Sequence, residues 1–123
     1  MIEAYSTNIS VSADAPILFN SESVIKGCTA THPSADTFNL NKCGVYMVSF
    51  DASAEAATTV QLYKDGVAQP QAQSTGDVVS FTTLVQVNHN NSCCACSSPV
   101  SLQVLTDTAA NFTNCNIVIT KVV

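Results

Sequence analysis

The chain has 123 residues and a net charge of −5, with 11% charged and 46% hydrophobic residues. It contains no arginine, and Lys26, Lys42, Lys64 and Lys121 are its only strong cations. Counterion release from phosphates needs a cationic surface, so nucleic acid is excluded as a partner, and so is docking on an anionic membrane.

The length fits one domain with a single two-layer core. The charged share is about half that of an ordinary soluble domain, so much of the surface is expected to be covered by copies of the chain or by another protein. No apolar run approaches the roughly 20 residues that span a bilayer. The start, Met1-Ile2-Glu3-Ala4-Tyr5-Ser6, has neither a basic nor an apolar signal region, which predicts synthesis in a bacterial cytoplasm without general export.

In chain order, residues 1–8 read as an N-terminal arm and residues 9–123 as the domain. Ile9-Ser10-Val11-Ser12 alternates as a strand does, and Pro16 introduces its continuation, Ile17-Leu18-Phe19-Asn20. Polar turn residues surround Val24-Ile25 up to residue 36. Thr37–Leu40 is a short strand, and Asn41-Lys42-Cys43-Gly44 turns the chain into Val45–Phe50. Ala52–Ala57 is compatible with a helix but too short to stand alone. Asp65-Gly66 is the clearest turn, joining Thr59–Lys64 to Val67–Ala72 as a hairpin. The longest strand, Val78–Asn88, places Val79, Phe81, Val85 and Val87 on one face, opposite Ser80, Thr82, Leu84 and Gln86. A Cys-rich loop leads to a strand over Pro99–Leu105, then comes a loop, then a last strand over Cys115–Val123. Many short strands at roughly 8–12-residue spacing, with no sustained helical period, predict an all-β sandwich or jelly roll.

The order of these segments resembles the tumour-necrosis-factor-like jelly roll, the fold of complement globular heads and of collagen-like bacterial and phage surface proteins. The residues that carry the likeness are Ala15-Pro16-Ile17-Leu18-Phe19-Asn20, Thr37-Phe38-Asn39-Leu40, Gly44-Val45-Tyr46 with Phe50, Leu62-Tyr63-Lys64-Asp65-Gly66, and Gly76-Asp77-Val78-Val79. The family's turn before its penultimate strand is replaced by Asn88–Cys96, and its last-strand ending by Asn116-Ile117-Val118-Ile119. The resemblance implies a two-sheet antiparallel sandwich that forms a homotrimer around a threefold axis. Tyr46, Phe50, Ile117 and Ile119 are the interface residues expected on that basis. The surplus of apolar residues on both faces of the longest strand independently calls for a partner.

Chemistry has little to work with. His89 with Cys93 and Cys96 is the candidate metal set, but adjacent cysteines in extended chain point opposite ways and a tetrahedral site needs four ligands. No cofactor is expected. Of the six cysteines, Cys28 and Cys43 form the expected intrachain pair, and the others are read as buried or late-oxidising thiols. His32-Pro33 reads as a turn, and no nucleophile–base–acid set accompanies either histidine. The chain is therefore not expected to be an enzyme.

Three functional classes stay open, of which the third, an enzyme or a cytokine-like ligand, has no site constellation behind it. The first is a trimeric decoration or cement protein on the outside of a bacteriophage capsid, with the major capsid protein as partner and the virion as its location. In that reading Ile2 and Tyr5 of the arm dock on the shell. The second is the receptor- or glycan-binding head of a phage fibre or of a spore-surface protein.

Overall fold

A computed structural model describes residues 1–88 and 99–123. Its elements are eight strands: β1 (Ile2–Val11), β2 (Ser21–Ile25), β3 (Ala30–Ser34), β4 (Thr37–Leu40), β5 (Gly44–Lys64), β6 (Val67–Val87), β7 (Val100–Thr106) and β8 (Ala110–Lys121). The described residues contain no helix. Ala52–Ala57, compatible with a helix by composition, lies inside β5, where the pairing of Ala52 and Ser53 with both β6 and β8 overrides local propensity.

β5 and β6 have 21 residues each, roughly 70 Å if straight at about 3.3 Å per residue. That is too long for one layer, so each strand serves two. The first half of β5 pairs with β8, from Tyr46 opposite Lys121 to Ala54 opposite Phe112. Its second half pairs with β7, from Val60 opposite Thr106 to Lys64 opposite Leu102. β6 follows β5 antiparallel along nearly its whole length, turning at Asp65-Gly66, where both residues have positive φ (51° and 79°). The first sheet therefore runs β2-β1-β8-β5-β6, and the second runs β6-β5-β7-β4-β3.

Alternation fills the space between the sheets. Tyr46, Val48, Phe50 and Ala52 of β5, Val79, Phe81, Val85 and Val87 of β6, and Ile117 and Ile119 of β8 are buried inward from the first sheet. Phe38, Leu40, Val60, Leu62, Leu102 and Val104 are buried from the second. Phe19 joins the layers, its ring lying edge-on to Phe38 at 5.5 Å and to Phe50 at 6.1 Å. The segment around it pairs only sparsely, through a Pro16–Leu105 bridge and the Ile17 N–H donating to the Val104 carbonyl at 2.8 Å. Proline cannot donate to a ladder, and the expected continuation of the first strand is accordingly a single bridge.

Two expectations are corrected here. Residues 1–8 are not a free arm, because Ile2 to Thr7 pair with β8 from Ile119 to Asn114, and Ile2 to Tyr5 also pair with β2. The apolar residues Ile2 and Ala4 are fully buried, so the alternation that defines the strand begins at residue 2. Cys28 carries a free thiol, while Cys43 is disulfide-bonded, so the expected Cys28–Cys43 bond does not form.

Candidate functional site

With the inward positions assigned, the outward ones follow by parity. Glu3 and Tyr5 of β1, Asn116, Val118 and Thr120 of β8, Val45, Met47, Ser49 and Asp51 of β5, and Thr82, Leu84 and Gln86 of β6 share the outer face of the first sheet. Register sets them in rows. Met47 lies between Thr120 and Leu84, Ser49 lies between Val118 and Thr82, and Asp51 lies opposite Asn116, which lies opposite Tyr5.

Five of these twelve residues, Tyr5, Val45, Met47, Leu84 and Val118, are apolar or aromatic, and seven are polar. Leu84 is 61% exposed and Tyr5 40%, and Met47, Val118 and Val45 are half-buried. Some of the polar groups on this face are hydrogen-bonded. The Ser49 and Thr82 hydroxyls lie 3.1 Å apart across β5 and β6. The Glu3 carboxylate accepts from the Ser23 hydroxyl at 2.6 Å. Met47 and Leu84 are direct neighbours across β5 and β6, and Val118 lies diagonally beside Met47.

The residues expected at the interface sit elsewhere. Tyr46, Phe50, Ile117 and Ile119 are at most 1% exposed and lie between the sheets of one subunit. They hold that subunit together and present no surface to a neighbour. Alternation in the sequence showed which residues share a side but not which side faces inward. Their outward neighbours Met47, Val118 and Leu84 are the ones that reach the outer face. Ile2, expected to dock on a shell, is likewise fully buried, whereas Tyr5 is exposed on the outer face.

The remaining candidates are occupied or lie outside the described residues. His32 stacks on Phe38 at 4.2 Å, its Nε2 lies 3.3 Å from the Ala35 carbonyl oxygen, and its Nδ1 lies 3.7 Å from Glu22. The Asp107 carboxylate accepts from the Thr59 N–H at 3.0 Å, and that of Asp65 accepts from the Ser101 N–H at 2.9 Å. Hydroxyl donation from Ser34 holds the Asp36 carboxyl below its usual range. His89, Cys93 and Cys96 lie outside the described residues, among which no group of three His, Cys, Asp or Glu side chains could hold a metal. No described helix is long and apolar enough to cross a membrane.

No protein-family model matches the chain, and no curated protein matches it in sequence. Solved structures do match over its full length. The globular domain of zebrafish complement 1qA superimposes with a TM-score of 0.77 at 12% identity, covering 99% of this chain and 96% of that one. Murine APRIL gives 0.65 at 9% identity, covering 98% of each chain. Rabbit GITRL gives 0.64 at 12% identity, covering 100% of this chain and 95% of that one. At such identities the likeness concerns the fold, which is the tumour-necrosis-factor-like and complement-head-like jelly roll.

Proposed function

We propose that this chain is a non-enzymatic structural protein, a homotrimer that decorates the outside of a bacteriophage capsid. The observation that carries the self-association is the outer face of the first sheet, which Met47, Leu84, Val118 and Tyr5 share on a subunit whose interior is already filled. Burying such a face against two copies removes apolar area from water at roughly 25 cal/mol per Å². Closed rotational symmetry satisfies the same patch on every copy. The tumour-necrosis-factor-like fold supports the same assembly.

The capsid role rests on the low charge and on symmetry. A small trimer matches the local threefold positions of an icosahedral shell, and a chain with 11% charged residues would bind the major capsid protein through backbone and Ser/Thr/Asn contacts. With β1 embedded in the sheet, docking falls to loops at one end of the trimer. The test is to add purified protein to shells of the virus that encodes it and to image them. Threefold density on the shell supports the role. A trimer that leaves the shells bare retires the capsid role, leaves the assembly standing, and favours the receptor- or glycan-binding head.

A further inference from the structure

β5 crosses from the first sheet to the second between Ser53 and Thr58, where its pairing with β6 lapses and its register on β8 has just shifted. β1 and β8 change facing beside this corner. Ile2, Ala4 and Ser6 point inward, then Asn8 takes φ 53°, and Val11 becomes the next buried residue. On β8 the inward series Ile119, Ile117, Cys115 gives way to Phe112 in the same way. A side chain with positive φ is tolerated best when it is Asn. The double change keeps Thr7 opposite Asn114 and Ile9 opposite Phe112 while turning Ser10 and Asn111 outward beside Glu55.

A cavity of about 360 Å³ opens there, and a second of about 240 Å³ adjoins it, the two sharing Ser10, Glu55 and Asn111. The Ser10 hydroxyl donates to Asn111 Oδ1 at 2.7 Å, and Asn111 Nδ2 donates to a Glu55 carboxylate oxygen at 3.3 Å. This bridge leaves the other carboxylate oxygen, the second amide hydrogen and the serine lone pairs free for a ligand. Ala56 and Ala110 give the larger cavity a small apolar wall. The groove thus joins closely spaced donors and acceptors to a narrow apolar surface.

We propose that this groove binds a neutral saccharide, with Glu55 and Asn111 taking adjacent hydroxyls and the alanine wall meeting the C–H face of the ring. Glu55 and the net charge of −5 select against uronic or sialic acids. A lone carboxylate lacks the oxygen-rich shell that a hard cation requires, and the polar bridge disfavours an apolar ligand. Phe112 is the only aromatic among the described lining residues and is itself buried, so no exposed ring is offered for stacking and the affinity per site should be weak, with a Kd on the order of 1 mM. The proposal does not depend on the capsid reading.

The test is an amide-resolved NMR titration of the full chain with glucose, galactose, mannose and N-acetylglucosamine, in the presence of EDTA. Saturable shifts at Ser10, Glu55 and Asn111 with at least one sugar are expected. Glu55→Gln and Asn111→Ala should each weaken binding by about tenfold, while Glu22→Gln should leave it unchanged. The isosteric Glu55→Gln keeps the test valid if Asn111→Ala unfolds, and the spectrum itself reports folding. The proposal is overturned if no sugar gives saturable shifts, if the shifts map elsewhere, if Glu55→Gln binds as tightly as the parent, or if binding requires added calcium.

Discussion

The Tyr46 hydroxyl donates to the Lys42 carbonyl at 2.9 Å and accepts the Lys42 N–H at 3.3 Å. It also lies 3.2 Å from the Thr29 carbonyl oxygen. A fully buried ring thus closes the turn into β5 and ties it to the segment before β3. Tyr46→Phe strands these groups and should cost about 1–3 kcal/mol. Tyr46→Ala adds a cavity and should cost about 3–5 kcal/mol. Tyr63→Ala removes a half-buried ring and should cost less. Denaturant melts of the three variants measure the ranking.

β1 lies between β2 and β8, and the N-terminal ammonium donates to the Lys26 carbonyl at 2.8 Å. Deleting residues 1–8 should therefore unfold the chain, and Ile2→Ala should lower stability by about 2–5 kcal/mol. Tyr5→Ala should leave the isolated subunit nearly unchanged. Circular dichroism and thermal melts give the comparison.

Cys115 is fully buried, whereas Cys28 is exposed. Burial, with a smaller push from the Asp51 carboxylate, raises the Cys115 thiol from 9.0 to about 12. Native protein should alkylate at Cys28 and spare Cys115 until it unfolds. The folded thiol keeps a proton that the unfolded one loses, so its contribution to stability is complete below pH 9.0 and disappears as pH rises towards 12. The parent should lose stability faster than Cys115→Ala over the window from pH 9.0 towards 12. Melts of both proteins across it supply the readout.

Met47 and Leu84 are opposed across β5 and β6 on the outer face of the first sheet. Leu84→Glu places a carboxylate on a contact that each copy would bury, which is strongly unfavourable without a partner charge. The variant should stay folded, since Leu84 is exposed in the subunit, and should sediment as a monomer. Val67→Glu, equally exposed but at the hairpin end, should assemble like the parent.

The strand content and the Asp65-Gly66 hairpin were legible because alternation and turn chemistry are local signals. Facing was not, since Tyr46 and Met47 are both apolar neighbours on one strand, and only the second layer decides which points inward. The strand over residues 2–8 was hidden for a related reason. Its inward positions include Ala4 and Ser6, and the Ser6 hydroxyl is satisfied by the Leu18 carbonyl at 2.6 Å and the Asn20 N–H at 2.8 Å, partners visible only after folding. Glu55, Ser10 and Asn111 come from three distant strands and carry no shared motif, so the groove they form left no trace in the sequence.

The central claim is that the outer face of the first sheet joins copies of this chain. Light scattering on the purified protein at micromolar concentration tests it most directly. A mass about three times the 12.9 kDa subunit, unchanged in high salt because screening barely touches apolar contacts, is the predicted result; a mass of one subunit would contradict it.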